Sequence, residues 1–323
     1  MNNNTLLPPA IPTINCVKIA TRRSPLALWQ ANDIKNSLNK LHPDLTVELI
    51  LMTTEGDINL ASSLANQGGK GLFIKELERA LLIKKADIAV HSMKDMTVYL
   101  PENLTLGAFS PREEVRDAFI SHHYNSLDDL PERAIIGTAS LRRKAQLLIM
   151  RPDLDIRLLR GNVNTRLDKL AQGEYDAIIL AAAGLIRLGL QKEIKQLFSI
   201  EQMLPAIGQA IIGIECRADD TEILPLIRQL NCPNSQACVT AERSMNELLG
   251  GHCSAPIAGL ARLVGDQLHL QGRVLSPDGS IMLEAFATKT ATQAQALGFD
   301  VAEQLIAQGA KKILNESREA LLK

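Results

Sequence analysis

The chain has 323 residues, enough for two or three domains, and 46% of them are hydrophobic while 22% are charged. A formal net charge of −1 and a 3% share of aromatic residues argue against nucleic acid as the main partner. No window approaches the roughly 18 apolar residues that a membrane-spanning helix needs, so no membrane span is expected.

The cysteines and the N-terminal residues both favour a cytoplasmic protein. An odd, scattered set without a C-x-x-C pair does not make a disulfide framework, and reduced thiols are expected at Cys16, Cys216, Cys232, Cys238 and Cys253. Residues 1–15 lack the basic and apolar regions of a signal peptide, so we expect a disordered extension.

The first part of the chain alternates strands and helices. Residues 17–20 predict a strand, and Ser24 followed by Pro25 is typical of a helix start. The helix is predicted to run to about residue 41, followed by a strand over 46–52. Arg22 and Ser24 lie on the loop before this helix, where backbone N–H groups suit an anion. Plain capping with surface arginines is the alternative interpretation.

A glycine-rich loop around Lys70 precedes a predicted helix over 72–84. The loop lacks the spacing of a nucleotide-binding P-loop. A flexible lid and a fixed ligand contact are equally compatible with this pattern.

A short apolar run at 87–90 predicts a buried strand, which ends in the segment His91-Ser92-Met93-Lys94-Asp95. Ligands bind at the carboxyl ends of strands in open α/β sheets. This segment is therefore a candidate reaction centre with Asp95 as its main carboxylate. A solvated loop carrying an exposed Lys-Asp pair is the alternative.

A second α/β unit follows the predicted strand over 104–109. Strands are predicted over 117–121, 135–138, 156–159 and 175–183. The last three of these strands lead to arginines, and arginines at strand-to-helix junctions can converge on carboxylates or phosphates. The candidates are Ser140 and the arginines Arg142, Arg143, Arg160, Arg166 and Arg187. A solvated charged face is the alternative for arginines elsewhere in this run.

The chain then returns to the first unit through residues 204–209, which include Gln209. A strand over 211–216 and a helix over 220–230 complete that unit. Two crossings between two units favour hinge closure over a ligand. The predicted domains are 16–112 with 210–230, then 113–209, and finally 231–323.

The last domain is predicted to be α+β. A linker at 231–234 precedes a helix capped by Ser235, and a glycine-rich loop with Cys253 ends that helix. Three strands (257–264, 267–275 and 281–288) and two helices (291–308 and 310–321) follow. Cys253 is either a covalent anchor on an exposed loop or a buried inert thiol.

Six segments together resemble the hydroxymethylbilane synthase family, also called porphobilinogen deaminase. They are Ile19-Ala20-Thr21-Arg22-x-Ser24-Pro25-Leu26-Ala27, Gly68-Gly69-Lys70-Gly71-Leu72-Phe73, Ala89-Val90-His91-Ser92-Met93-Lys94-Asp95, Gly137-Thr138-x-Ser140-Leu141-Arg142-Arg143, Leu159-Arg160-Gly161-Asn162-Val163 and the loop with Cys253. The resemblance runs from about residue 17 to the C-terminus. It implies two periplasmic-binding-protein-like α/β domains with a hinge, plus a small C-terminal α+β domain.

The resemblance also implies a transferase of haem biosynthesis that joins four porphobilinogen molecules into a linear tetrapyrrole, with loss of ammonia and a final hydrolysis. It implies a dipyrromethane cofactor joined as a thioether to Cys253, Asp95 as the catalytic carboxylate, and no metal. The cofactor-binding residues would be Lys94, Ser140, Arg142, Arg143 and Arg160. The substrate-binding residues would be Arg22, Ser24, Lys70, Arg166, Arg187 and Gln209. A monomer is the family expectation.

The residues agree with this chemistry. Each ring brings one acetate and one propionate, so a chain of six rings carries twelve carboxylates, which explains arginines from both α/β domains. A buried carboxylate can stabilise cationic pyrroles and relay protons, which is the role expected of Asp95.

Four positions depart from the family pattern: Glu55, Asn66, Thr97 and Ala210. A methyl group at position 210 would strain the crossing if that position needs a positive φ. Two alternatives stay open, an anion-binding two-domain module and a paralogue that elongates poorly.

Overall fold

The computed structural model of the protein describes residues 14–53, 74–251 and 255–322. The expectations for residues 1–13, for Glu55, Asn66 and Lys70, and for Cys253 lie outside the described residues.

The strands fall into three sheets. They are β1 (Cys16–Arg22), β2 (Thr46–Met52), β3 (Ile88–Ser92), β4 (Leu104–Phe109), β5 (Asp117–Ile120), β6 (Ile135–Gly137), β7 (Asp155–Arg157), β8 (Ala177–Ala181), β9 (Gln196–Leu197), β10 (Ile212–Arg217), β11 (Ile257–Val264), β12 (Gln267–Leu275) and β13 (Met282–Thr290).

The helices cover the faces of these sheets. They are α1 (Pro25–Leu41), α2 (Lys75–Leu82), α3 (Leu141–Met150), α4 (Val163–Ala171), α5 (Ala182–Arg187), α6 (Ile223–Arg228), α7 (Pro233–Leu249), α8 (Ala294–Ala307) and α9 (Ala310–Leu322). No helix within the described ranges is long and apolar enough to cross a bilayer.

The first α/β domain has a five-stranded sheet in the order β2-β1-β3-β10-β4. β1 is parallel to β2 and β3, whereas β10 is antiparallel to β3 and β4. Apolar residues of α1 and α6 pack on one face, and those of α2 pack on the other. The carboxyl ends of β1 and β3 therefore share one edge with the start of β10.

The second α/β domain has a five-stranded sheet in the order β7-β6-β8-β5-β9. β6 is parallel to β7 and β8, whereas β5 is antiparallel to β8 and β9. α3 packs on one face, while α4 and α5 pack on the other. The start of β5 consequently lies at the same edge as the ends of β6 and β8.

The third domain has a three-stranded antiparallel sheet, β11-β12-β13, with α7, α8 and α9 on one face. On its other side, Ala258 and Leu260 of β11 pack against Leu204 of the second domain. The α/β and α+β classes inferred from the sequence are confirmed.

The two crossings between the α/β domains are hydrogen bonded to each other. Arg112 donates from Nε to the carbonyl of Gln209 at 3.0 Å, and the N–H of Glu113 donates to the carbonyl of Ala210 at 3.2 Å. Glu242 of α7, which is fully buried, accepts from both terminal nitrogens of Arg112 at 2.6 and 3.0 Å and from the N–H of Gly208 at 2.6 Å. The third domain thus holds both crossings.

Several predicted boundaries were wrong. β1 continues through Arg22 because its parallel pairing with β2 extends that far, and β3 continues through Ser92 because it pairs antiparallel with β10. The strand predicted over 175–183 ends at Ala181, and residues 182–187 form α5. α7 begins at Pro233 with Cys232 as its N-cap, so Ser235 is not the cap.

Ala210 has a φ of +70° and is buried, so the strain anticipated from the sequence is present. Replacing it with glycine should stabilise the fold by about 1 kcal/mol, because a left-handed backbone costs an alanine about that much. Chemical denaturation monitored by circular dichroism would measure this free energy of unfolding.

The matched control is Ala206→Gly in the same crossing, where φ is not positive. That variant should lose about 0.5–1 kcal/mol, since glycine gains entropy in the unfolded chain. Equal destabilisation by both substitutions would contradict strain at Ala210.

Candidate functional site

A 3₁₀ turn, Met93–Asp95, follows β3 directly and is fixed against the second crossing. The N–H of Met93 donates to the carbonyl of Ile211 at 3.0 Å. Gly208 approaches so closely that a Cβ atom there would lie 2.8 Å from the Cβ of Met93, and its φ is +69°. The turn therefore cannot shift without the crossing.

Asp95 at the end of this turn is exposed, so the prediction of a buried carboxylate was wrong. The reason is that Met93, two residues earlier, takes the buried position of the turn. The Asp95 carboxylate nevertheless acts electrostatically on Lys94 and on Arg166 of the second domain. An exposed anion thus lies within the electrostatic reach of cations from both α/β domains.

Lys94 is the most perturbed amine of this region. Burial lowers the pKa of Lys94 to about 8; Arg143 and Arg142 act in the same direction, and Asp95 and Asp117 act against them. The ammonium group therefore keeps its charge near pH 7 and loses it at a lower pH than an ordinary lysine does.

Arg142 and Arg143 lie in the first turn of α3 and are only 3% and 6% exposed. They share the carboxylate of Asp117. Arg142 Nη2 lies 2.8 Å from one oxygen, and Arg143 Nη2 donates to the other at 2.7 Å. Both arginines thus lie at the strand-to-helix junction predicted from the sequence, and they are buried there against Asp117.

Ser140 and Ser24 are the N-caps of α3 and α1. Their hydroxyl oxygens accept from the N–H groups of Arg143 and Ala27, each at 3.4 Å. The same order of strand, N-cap serine and helix is therefore present in both domains. Arg22 is the last residue of β1, at the same sheet edge as the end of β3.

Arg160 lies just before the N-cap of α4, and Arg166 lies within the first turns of that helix. Arg166 Nε donates to the carbonyl of Gly161 at 2.8 Å. Burial lowers the pKa of Arg166 to about 10; Arg143 and Arg160 act in the same direction, and Asp95 opposes them. The Nε atom of Arg160 is buried and has no hydrogen-bond partner among residues 14–53, 74–251 and 255–322. That orphaned donor indicates a place for an anion.

Arg187 connects the two α/β domains. Its Nε donates to Glu113 at 3.1 Å and its Nη2 to the carbonyl of Ala210 at 3.2 Å. Its guanidinium carbon lies 5.5 Å from the ring centroid of Trp29 on α1, a cation–π contact across the domains. Gln209 is fully buried and donates to Val115 at 2.7 Å and to Asp117 at 3.1 Å.

Asp117 belongs to the site although no local sequence pattern predicts it there. It opens an apolar strand, where an acidic residue is a signal for a buried ion pair, but its arginine partners are distant in the chain. The structure brings Lys94, Asp95, Asp117, Arg142, Arg143, Arg160 and Arg166 into one electrostatic neighbourhood. Such a site can bind a ligand rich in carboxylates.

Comparison with known families gives two matches. Residues 17–225 match the family described as "Porphobilinogen deaminase, dipyromethane cofactor binding domain". Residues 236–307 match "Porphobilinogen deaminase, C-terminal domain". The first match alone covers more than half of the chain.

Solved structures with a similar arrangement are distant in sequence. A periplasmic substrate-binding protein of an ABC transporter from Coxiella burnetii is 16% identical, with a TM-score of 0.43 over 68% of this chain and 94% of that one. The periplasmic VFT2 domain of BvgS from Bordetella pertussis is 16% identical, with a TM-score of 0.40 over 67% of this chain and 86% of that one.

Ligand binding should depend on the charge of Lys94. With its pKa at about 8, the amine loses its proton as the pH rises, so binding of an unreactive pyrrole dicarboxylate should weaken about tenfold between pH 7 and pH 9. Isothermal titration calorimetry at the two pH values would measure this. The Lys94→Arg variant stays charged and should show a nearly flat profile. The same fall in both proteins would contradict this assignment.

Proposed function

The chain belongs to the porphobilinogen deaminase family, transferases that act on porphobilinogen and carry a dipyrromethane cofactor, and from this we propose that it is a hydroxymethylbilane synthase. It would condense four porphobilinogen molecules head to tail, release ammonia at each step and free the linear tetrapyrrole by hydrolysis. The observation that carries the proposal is the set of cations from both α/β domains around the exposed Asp95.

The residues present fit a dipyrromethane group. It would bring four carboxylates, and the site offers a desolvated Lys94, the Arg142–Arg143 pair and the orphaned Nε of Arg160. Lys94, Ser140, Arg142, Arg143 and Arg160 would hold these carboxylates, and Cys253 would form the thioether. When bound, the group supplies a terminal pyrrole whose free α-carbon accepts each new unit.

The substrate and the growing chain would bind at the edges of the two five-stranded sheets that lie beside the crossings. Arg166 and Arg22 would bind carboxylates as charge-assisted donors. Arg187 and Gln209 contact the crossings, so they would couple binding to the relative position of the domains. Ser24 and Lys70 complete the proposed substrate-binding set.

Asp95 would act on the reacting atoms. Departure of ammonia leaves a cationic pyrrole derived from the substrate, and the carboxylate lowers the energy of that cation. Bond formation at the acceptor carbon then requires loss of one proton, which Asp95 would take and pass to solvent. The exposure of Asp95 allows this exchange with water.

We also propose that the protein is a monomer and lies in the cytoplasm. The cysteines in the described ranges are free thiols, which agrees with a reducing compartment. An anion-binding module without catalysis would need neither Cys253 nor Asp95, so the following two experiments distinguish it from the enzyme.

Cys253→Ser should remove the covalent group, because a hydroxyl is a much weaker nucleophile than a thiolate. Intact-mass spectrometry of the purified wild-type protein should show an addition equal to two porphobilinogen molecules minus two ammonia. The matched control is Cys232→Ser, which should keep the addition. An unmodified wild-type mass would contradict the enzyme, and an addition retained by Cys253→Ser would place the anchor elsewhere.

Asp95→Ala should lower kcat about 10²–10⁴-fold, the usual contribution of a general acid–base group, while the fold survives because the residue is exposed. Timed release of the tetrapyrrole would measure turnover. Asp219→Ala, a change at another exposed acidic residue, is the control and should turn over normally. Near-normal turnover by Asp95→Ala would refute the role of this carboxylate.

A further inference from the structure

Asp117 is the buried carboxylate on which the arginine pair depends. It is the first residue of β5, pairs in register with Ala181 at the end of β8, and is fully buried. Its carbonyl accepts from the N–H of Phe198 at 3.0 Å. The sheet therefore fixes its backbone at the edge where the proposed ligand site lies.

Three side chains contact this one carboxylate, two by hydrogen bonds and one as an ion pair. Arg143 donates from Nη2 at 2.7 Å and from Nε at 3.2 Å to the first oxygen, which also accepts from Gln209 at 3.1 Å. Arg142 Nη2 lies 2.8 Å from the second oxygen. Gln209 comes from the crossing, so Asp117 connects the arginine pair with the segment between the domains.

Each guanidinium group has a second anchor. Arg142 donates from Nη1 to the carbonyl of Leu204 at 2.8 Å, and Arg143 donates from Nη1 to the carbonyl of Ile179 at 3.0 Å. A guanidinium group has five N–H donors, so these contacts set its plane and leave donors for a ligand. The carboxylate and the carbonyls together decide where those donors lie.

The charges around Asp117 do not cancel. Burial by itself would raise the pKa of Asp117, but Arg142, Arg143 and Lys94 lower it well below its usual range. One ionised carboxylate between two guanidinium groups leaves a buried excess of positive charge. A pair that only stabilised the fold would be neutral, since an uncompensated buried charge is costly. The excess charge is what an anionic ligand can balance.

We propose that Asp117 is a positioning residue for the reaction: it orients the guanidinium groups of Arg142 and Arg143 towards the ligand carboxylates and keeps the empty pair from capturing free anions. The proposal rests on the proposed function, because the ligand is the pyrrole carboxylate set assigned there. Asp117 itself does not touch the ligand.

The first test is Asp117→Asn, which keeps the shape and removes the charge. The value of kcat/KM for porphobilinogen should fall about 10²-fold, the usual cost of a misplaced binding group. Inhibition by inorganic sulfate should become about tenfold tighter, because two arginines without their carboxylate attract a replacement anion. A purely structural role would not tighten sulfate inhibition.

Asp176→Asn is the matched control. Asp176 immediately precedes β8, at the opposite end of that strand, and accepts from the N–H of Ile135 at 2.7 Å. This variant should keep the wild-type sulfate inhibition. If Asp117→Asn keeps kcat/KM within about threefold of wild type and its sulfate inhibition is unchanged, the proposal is wrong. Wild-type protein that does not consume porphobilinogen would instead refute the proposed function.

A compensated variant keeps the test valid if Asp117→Asn does not fold. Asp117→Asn combined with Arg143→Gln removes both partners of the ion pair, which is less costly than leaving one charge unpaired. If Asp117 acts through Arg143, the double variant should turn over no more than about threefold slower than Arg143→Gln alone. A further loss of about 10²-fold would show an independent role and overturn the proposal.

Discussion

The relative placement of all three domains depends on one buried ion pair, Glu242 with Arg112. Glu242 is fully buried, and its two oxygens accept from Arg112, from the N–H of Gly208 and from the N–H of Ala261 at 2.7 Å. A buried carboxylate is tolerated only when its lone pairs are satisfied in this way. Because Arg112 and Gly208 belong to different crossings, one side chain of the third domain fixes both connections between the other two.

The positions of the site residues depend on contacts with these two crossings. The second crossing packs against the turn before Asp95 and offers its Ala210 carbonyl to Arg187. Asp117 of the second domain resembles Glu242 in its surroundings, because arginines and Gln209 of the crossing surround its carboxylate. The two carboxylates differ in the net charge of their surroundings. The Glu242–Arg112 pair is neutral, whereas Asp117 with Arg142 and Arg143 carries a net positive charge.

Local signals made much of this structure predictable. Ser24 and Ser140 before helices, and apolar runs of strand length, identified the elements and the two similar α/β domains. The strand predicted over 175–183 extends two residues too far, into the helix at 182–187, because a short apolar run does not distinguish a buried strand from a buried helix. The Asp117–Arg143 pair and the exposure of Asp95 arise from strand order and from the turn at Met93, which no local pattern encodes.

The contact between Trp29 and Arg187 makes tryptophan fluorescence sensitive to the boundary between the two α/β domains. The chain contains one tryptophan, so its indole emission comes from a single place. That place is the seam where a helix of one α/β domain meets a guanidinium group of the other. A change in the spacing of the two domains would change the distance between the ring and this charge. The protein thus carries a native optical reporter of domain separation, readable in stopped flow without any label.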